Sequence, residues 1–164
     1  MTPRTLLAAL LLVLPSTLLA QPAVFLVRHA ERADAGMMAP AGADPDLSPA
    51  GRARAESLAA VLKDARITAI YVTEYRRAGQ TADPLAKLLR VEPSVVTSKD
   101  IAALVDRLKA ASGNVLVIGH SNTLPAVIKA LGVEETLAID DMEYDNLFIV
   151  TRGGTPSLLR LHYR

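Results

Sequence analysis

The stretch VFLVRHAERAD, from Val24 to Asp34, joins two kinds of sequence at a single point. Its first four residues, Val24–Val27, form a short apolar run of the kind that fills a strand in the middle of a parallel sheet. A dense cluster of charge follows at once, beginning with Arg28 and His29. The pattern predicts a buried strand that stops at an edge of the sheet and places Arg28 and His29 there.

The rest of the chain repeats this alternation of a short strand with a helix. Further strand cores are predicted at Ile70–Val72, Ser94–Thr97 and Val115–Ile118. Helices are predicted to start at the cap Ser48-Pro49, to run over Arg76–Leu89 with a kink at Pro84, from Ile101 to near Gly113, and over Leu124–Leu131. Strand-helix alternation of this kind is typical of an α/β protein with a mostly parallel sheet.

The end of the chain has a different pattern, because two strand-like segments follow each other directly. Asn146–Arg152 and Ser157–Tyr163 flank the pair Gly153-Gly154, which predicts a β-hairpin. The predicted fold is therefore a three-layer α/β sandwich. It has a mostly parallel central sheet, helices on both faces and a C-terminal antiparallel hairpin. Residues 35–46 are predicted to form a surface loop near the exit of the first strand.

The first twenty residues have the layout of a secretory signal peptide. A positive head, Met1–Arg4, precedes the apolar run Leu6–Leu14, and small residues end the segment near Ala20. The run is shorter than the roughly 20 apolar residues that a membrane span needs. We therefore expect a signal peptide over residues 1–20 and a single catalytic domain over 21–164. The mature protein would be secreted or periplasmic, with no stable membrane span after cleavage.

Composition excludes several classes of function. The 164 residues carry 18 basic and 17 acidic side chains, and removal of residues 1–20 takes away only Arg4, so the mature chain is neutral. A neutral chain has no bulk attraction to nucleic acid. With no cysteine, thiol catalysis and cysteine zinc sites are excluded. The three histidines, His29, His120 and His162, match no local metal motif, so neither a metal nor a cofactor is predicted.

Charged and polar residues follow three of the predicted strands, where ligands bind in a parallel α/β sheet. They are Arg28 and His29 after the first strand, Arg77 after the second, and His120 and Asn122 after the fourth. Arginine forks match phosphate oxygens, and a neutral imidazole can attack phosphorus. Cations can offset the charge on the transferred phosphoryl group. The cluster predicts phosphoryl transfer through a phosphohistidine, without a need for a metal.

Four motifs in this order resemble those of the histidine phosphatase superfamily, which also contains the cofactor-dependent phosphoglycerate mutases. LVRHAE at Leu26–Glu31 resembles its Arg-His-Gly motif, with alanine where glycine is commonest. The others are LSPAGRARAESLA at Leu47–Ala59, YVTEYRRAGQTADPLA at Tyr71–Ala86 and VLVIGHSN at Val115–Asn122. They resemble its Leu-Thr/Ser-x-x-Gly segment, its Arg-Ala-x-Gln-Thr-Ala helix and its Gly-His strand end. The resemblance extends from about Val24 to Thr151.

The resemblance implies a role for each residue of the cluster. His29 would be the nucleophile, Arg28 and Arg77 would hold the phosphate, and His120 would donate to it and stabilise the transition state. Asn122 would contact phosphate or cap the following helix. The implied function is an exported, metal-independent phosphatase that hydrolyses a phosphate ester, a phosphohistidine or an anhydride. Its partner would be a small phosphorylated substrate or a phosphoprotein. Substrate identity and oligomeric state stay open.

The proton donor is less clearly marked. Larger members of the family often carry a donor glutamate after the third strand, but here Ser94–Thr97 leads directly into SKDIAALVDRL without an insertion. Glu31 is the predicted donor, and its alternative role is that of a partner that orients an arginine or the loop. Four other carboxylates stay open as donors: Asp100, Asp140, Asp141 and Glu143.

Two other functions compete with the phosphatase. A phosphoglycerate mutase would need a longer cover over the site, and the short chain and the export signal argue against it. A phospho-ligand binding protein without turnover is motivated by Ala30 and by the missing glutamate.

Overall fold

The computed structural model describes residues 22–34 and 43–164. The predicted signal peptide, residues 1–20, and most of the predicted 35–46 loop lie outside these residues. The elements in chain order are β1 (Ala23–Arg28), α1 (Pro49–Leu62), β2 (Ile67–Val72), α2 (Arg76–Leu89), β3 (Ser94–Val95), α3 (Ile101–Ala110), β4 (Asn114–Gly119), α4 (Leu124–Ala130), β5 (Asn146–Thr151) and β6 (Ser157–His162).

The described strands form one mixed sheet in the order β3-β2-β4-β1-β5-β6. The strands β3, β2, β4 and β1 are parallel, β5 runs antiparallel to β1, and β6 runs antiparallel to β5. The four parallel strands lie at the predicted positions, although β3 covers only Ser94–Val95 of the predicted Ser94–Thr97. The two antiparallel strands are the predicted hairpin, with Gly153 and Gly154 in the left-handed region at φ 110° and 68°. The predicted fold class is confirmed.

Helices cover the sheet on both faces and create two separate cores. On one face, α1 and α2 pack against side chains such as Val27 and Leu116. On the other face, α3 and α4 pack against side chains such as Leu26 and Val117. Neighbouring residues of β1 thus enter opposite cores, as the two-residue period of a strand requires. Within residues 22–34 and 43–164, the helices are too short or too polar for any of them to cross a membrane.

The helix ends follow the predicted signals closely. Ser48 caps α1, because its Oγ accepts a hydrogen bond of 3.0 Å from the Gly51 amide. The second helix spans the predicted range, and Pro84 lies inside it without ending it. The third helix ends at Ala110, before the predicted end near Gly113. These boundaries place the start of α2 beyond the carboxyl end of β2, which brings its first turn to the edge where β1 and β4 also end.

Candidate active site

The register between β1 and β4 brings the two strand-end histidines together. Arg28 lies opposite Gly119 in this parallel pair, so the next residues, His29 and His120, leave the sheet side by side. The His29 amide donates to the Gly119 carbonyl at 3.0 Å, which extends the pairing by one residue. The two imidazole rings lie 5.2 Å apart, centroid to centroid, and both are buried.

The contacts of His29 define its protonation state. Its Nδ1 lies 2.8 Å from the Ala30 carbonyl oxygen, and a carbonyl only accepts, so Nδ1 carries the proton and Nε2 keeps its lone pair. Burial lowers the pKa of His29 from 6.5 to about 3, against the effect of the Ala30 hydrogen bond. The positive charges of Arg77, His120 and Arg28 act in the same direction as burial. At neutral pH the ring is therefore a neutral base with a free Nε2.

His120 is oriented from both sides of its loop. Its Nε2 lies 3.0 Å from Thr73 Oγ1, at the end of β2, and its amide donates to Thr123 Oγ1 at 3.1 Å. The Tyr75 ring meets the imidazole edge-on at 5.2 Å. Burial, and after it the charge of Arg77, lowers the pKa of His120 from 6.5 to about 4. The sequence reasoning missed Thr73 and Tyr75 as supporting residues, although both follow β2 directly.

Arg28 is buried beside the histidines, with 7% of its surface exposed. Its Nη1 donates to the backbone carbonyls of Asp140 at 3.0 Å and Glu143 at 3.3 Å. The guanidinium carbon lies 4.2 Å from the centre of the Tyr144 ring, a cation–π contact. The Nε of Arg28 is buried without a hydrogen-bond partner among the described residues.

Arg77 occupies the first turn of α2 and is buried to a similar extent, with 8% exposed. Its Nη1 donates to Asp44 Oδ1 at 3.3 Å, and its guanidinium lies 4.1 Å from the centre of the Tyr75 ring. Burial and the nearby charge of Arg32 lower its pKa, and the Asp44 carboxylate opposes that change. Within residues 22–34 and 43–164, its buried Nε also has no hydrogen-bond partner.

These side chains line one open cavity of about 410 Å³, and every residue lining it carries a polar side-chain atom. Its walls are formed by Arg28, His29, Arg32, Tyr75, Arg77, Ser98, Lys99, His120, Ser121, Asn122, Thr123 and Asp141. The structure thus brings together five of the six predicted site residues, and the sixth, Glu31, lies elsewhere.

Asn122 lines the cavity and does not cap the following helix. The residue before the first turn of α4 is Thr123, whose Oγ1 is used by the His120 amide. Of the two roles that the sequence left open for Asn122, its position favours contact with a bound anion over helix capping.

Glu31, the predicted proton donor, is not among the residues that line this cavity, and its carboxylate is paired with Arg54. Its carboxylate accepts from Arg54 Nε at 2.8 and 3.0 Å and from Arg54 Nη2 at 2.7 Å. Arg54 in turn donates to the Tyr163 carbonyl at 3.2 Å. Glu31 therefore links the loop after His29 to α1 and to the C-terminal strand. This is the alternative role, that of a partner that orients an arginine.

Close packing of α1 fixes the backbone at Glu31. The Glu31 carbonyl accepts from the Ser48 amide at 2.9 Å and lies against the first turn of α1. A Cβ atom on Gly51 would come within 2.2 Å of that carbonyl oxygen, so this approach requires glycine. The contact fixes the backbone after His29 and leaves the Glu31 side chain beside Arg54 on the same helix.

Alanine at position 30 causes no backbone strain. Among the described residues with a side chain, only Arg66 and Arg90 have positive φ, so Ala30 is not in the left-handed region. Its amide donates to Thr81 Oγ1 at 2.9 Å, and the residue is fully buried. The departure from the Arg-His-Gly motif therefore leaves the loop after His29 intact.

The fold and the site together define a class: an α/β protein with two neutral histidines and two buried arginines at the carboxyl edge of its sheet. The family model of the histidine phosphatase superfamily (branch 1) matches residues 24–100 of the chain. Over this range the match confirms the predicted resemblance for three of the four motifs, with Arg28, His29 and Arg77 inside it. The fourth motif, Val115–Asn122, lies outside the matched range. A search of curated proteins found no match.

Solved structures with the same fold include three phosphatases. One is the protein histidine phosphatase SixA complexed with tungstate, at TM-score 0.71 and 21% identity, covering 85% of this chain and 96% of that one. The α-ribazole phosphatase from Shigella flexneri has TM-score 0.71 and 14% identity, with 85% and 96% covered. A mycobacterial glucosyl-3-phosphoglycerate phosphatase in complex with VO3 has TM-score 0.69 and 16% identity, with 84% and 97% covered. At these identities the likeness is one of fold.

Proposed function

We propose that this chain is an exported phosphatase that hydrolyses a phosphorylated substrate through a phosphohistidine on His29. One observation carries the proposal: a buried, neutral His29 with a free Nε2 lies in a cavity shared with Arg28, Arg77 and His120. A neutral imidazole is the form that attacks phosphorus, and the surrounding cations complement the charge of a phosphoryl group.

The two arginines would hold the phosphoryl group before the attack. Each has a buried Nε–H with no acceptor among the described residues, and buried donors of this kind normally find a partner. Phosphate oxygens are such acceptors, and arginine binds them in a bidentate, charge-assisted way. The arrangement would place phosphorus between Arg28 and Arg77, next to the ring of His29.

The reaction would then proceed in two displacements. His29 Nε2 forms a bond to phosphorus while the bond from phosphorus to the leaving oxygen breaks. Arg28, Arg77 and His120 stabilise the charge on the equatorial oxygens. Water next forms a bond to phosphorus, the phosphorus–nitrogen bond breaks, and inorganic phosphate leaves. We propose that both steps run without a metal, because the cationic side chains supply the charge compensation.

The substrate would be a small phosphorylated molecule or a phosphoprotein. Among the structurally similar proteins, SixA is named as a protein histidine phosphatase, and two others are named as an α-ribazole phosphatase and a glucosyl-3-phosphoglycerate phosphatase. Export rests on the sequence pattern of residues 1–20 alone. Fusion of these residues to a reporter enzyme, followed by cell fractionation, tests it: a reporter retained in the cytoplasm would refute export.

The central experiment compares the protein from Gln21 onward with its His29→Ala variant on 4-nitrophenyl phosphate, with EDTA present. We expect the variant to lose at least about 10³-fold in turnover, because it lacks the nucleophile. His162→Gln, which alters an exposed histidine of β6, is the matched control and should retain full activity. Wild-type turnover in the His29 variant would refute the proposal, and loss of wild-type activity in EDTA would refute metal independence.

Acid-quenched labelling distinguishes the competing functions. A phosphatase gives a transient label on His29 and releases inorganic phosphate. A phosphoglycerate mutase would keep the label and move phosphate within the substrate, whereas a binding protein would bind phosphate esters without label or release.

A further inference from the structure

A phosphatase acting on an alcohol ester must protonate the alkoxide that leaves, and the roles described so far supply no group for this. Histidine, aspartate and glutamate are common donors of this kind, and because the lowered pKa of His120 leaves its ring neutral, the carboxyl groups are the remaining candidates. The described residues contain several carboxylates close in sequence to the site. Their partners and their positions relative to the cavity distinguish them.

Three of the carboxylates that the sequence left open have structural partners. Asp100 Oδ1 accepts from the Ala103 amide at 3.0 Å and caps α3. Asp140 Oδ1 accepts from the Met142 amide at 2.8 Å and closes a turn. Glu143 pairs with Arg160 at 3.3 Å. None of the three lines the cavity, and neither does Glu31.

Asp141 is the one carboxylate among the described residues that lines the same cavity as His29. Its Oδ1 accepts from Ser121 Oγ at 3.0 Å and lies 3.8 Å from Arg28 Nη2. Its side chain is 89% exposed, so it faces the solvent side of the cavity, where the non-phosphate part of a substrate would enter.

The backbone on either side of Asp141 is hydrogen-bonded to Arg28, a residue of the site. Arg28 Nη1 donates to the carbonyls on both sides of it, those of Asp140 and Glu143. Tyr144 continues this contact, because its ring stacks on Arg28 and lies 6.2 Å from the His29 ring. The arginine that would bind the phosphate therefore also fixes the position of Asp141 relative to it.

We propose that Asp141 is the proton donor of this site and that the substrate is a phosphate monoester of an alcohol; the inference rests on the proposed function. As His29 Nε2 bonds to phosphorus and the ester phosphorus–oxygen bond breaks, the Asp141 carboxyl transfers its proton to the leaving oxygen. In the second step the Asp141 carboxylate accepts a proton from the attacking water. Phosphate is released from His29, and Asp141 regains its proton.

The substrate class follows from the need for a donor. An alkoxide is a poor leaving group and gains most from protonation, whereas the imidazole of a phosphohistidine or the phosphate of an anhydride leaves more readily. A donor fixed by Arg28 and Ser121 indicates alcohol esters in preference to these two substrates.

The test measures kcat/KM of wild type and Asp141→Asn for a series of esters from 2,4-dinitrophenyl phosphate through phenyl phosphate to glycerol 2-phosphate. We expect the variant to lose about 10²-fold or more on glycerol 2-phosphate, as removal of a general acid predicts, and less than about fivefold on the dinitrophenyl ester. The variant's rate should therefore depend more steeply on the leaving group. Asp106→Asn, at an exposed position of α3 that does not line the cavity, is the control, because the charge change is the same.

The outcomes separate the two proposals. An equal loss on all esters, or a loss as large in Asp106→Asn, would overturn Asp141 as donor. An inactive His29→Ala would still leave the proposed function standing. Wild-type turnover of phosphohistidine in the absence of any glycerol 2-phosphate turnover would overturn the substrate class. Full activity of His29→Ala would overturn the proposed function and the inference with it. Thermal unfolding of each variant confirms that it is folded.

Discussion

Arg28 and Arg77 both line the cavity and each stacks on a tyrosine, yet different kinds of acceptor form their hydrogen bonds. Two neutral backbone carbonyls, from Asp140 and Glu143, bind the Arg28 guanidinium. A carboxylate, that of Asp44, binds Arg77. Carbonyl acceptors fix an arginine without cancelling its charge, whereas a carboxylate 3.3 Å away offsets part of it.

The difference indicates unequal contributions to phosphate binding. The carboxylate nearest to Arg28, that of Asp141, is farther away, at 3.8 Å, and 89% exposed, so it offsets less of the charge of Arg28. Removal of Arg28 would also leave two carbonyls without their donor and loosen the segment that carries Asp141. Arg77 presents a charge partly balanced by Asp44, whose side chain is already 31% exposed, so water can solvate that carboxylate when Arg77 is removed. The two residues therefore have similar positions, but only Arg28 also holds the segment that carries Asp141.

The largest effect is expected from truncating each arginine in turn. We expect Arg28→Ala to lower kcat/KM about 10³-fold and Arg77→Ala about 10²-fold, because hydrogen bonds to charged groups contribute roughly 1.5–3 kcal/mol each and Arg28 supports more of the site. Only Arg28→Ala should also lower the melting temperature clearly. Steady-state kinetics and calorimetry measure both quantities, and equal losses in the two variants would refute the inequality.

The next effect concerns the histidines, whose protonation both arginines disfavour. Because the native pKa values of His29 and His120 are lowered to about 3 and 4, the unfolded chain binds more protons below pH 6.5. The contribution of the two neutral histidines to the free energy of unfolding is thus fully present above pH 6.5 and is lost as the pH decreases. We expect a loss on the order of 3 kcal/mol for His29 alone between pH 7 and 4.

Urea unfolding at several pH values measures this loss. His29→Gln should flatten the acid slope, and His162→Gln, at an exposed position, should leave it unchanged. If the free energy of unfolding of His29→Gln falls as steeply with acid as that of wild type, burial of a neutral His29 does not contribute to the acid dependence of stability.

A smaller effect is expected when Arg77 is given a neutral acceptor like those of Arg28. In Asp44→Asn the amide oxygen can still accept from the Arg76 amide, as both Asp44 carboxylate oxygens do at 3.0–3.1 Å. The compensating charge is lost, so phosphate should bind more tightly, by about three- to fivefold, in line with a partly exposed ion pair. Inhibition by inorganic phosphate provides the measurement. Weaker binding in this variant would show that Asp44 acts by orienting Arg77.

The smallest effect is expected from the stacked tyrosines. Tyr144→Leu and Tyr75→Leu remove cation–π contacts of 4.2 and 4.1 Å and should each weaken phosphate inhibition about twofold. Tyr75→Phe and Tyr144→Phe keep the rings and serve as matched controls. A loss in the phenylalanine variants as large as in the leucine variants would show that the hydroxyl groups, not the rings, matter.

Much of this site could be predicted from the sequence, because strand ends determine where their following residues lie. Once β1 and β4 are predicted as parallel neighbours, Arg28, His29 and His120 must meet at one edge, and the start of α2 adds Arg77. These positions depend only on where each strand ends and where the next helix begins, and both are visible in the local sequence.

The surrounding groups could not be predicted, because their directions depend on contacts distant in the chain. Glu31 pairs with Arg54, and α1 packs on its carbonyl through Gly51. Asp44 meets Arg77 across 33 residues, and Asp141 reaches the cavity through contacts with Arg28 and Ser121. A carboxylate in a loop has no periodic pattern that would show which way it points.

The pairing of Arg28 with Gly119 across β1 and β4 also limits how the length of this chain can change. One residue added to either strand would shift the following histidine by about 3.3 Å along the sheet and turn it to the opposite face. Insertions should therefore be tolerated in the connections, such as the glycine turn between β5 and β6, and not within these two strands. In a scan of single-residue insertions along the chain, we expect activity to be lost in two short ranges, one ending at His29 and the other at His120.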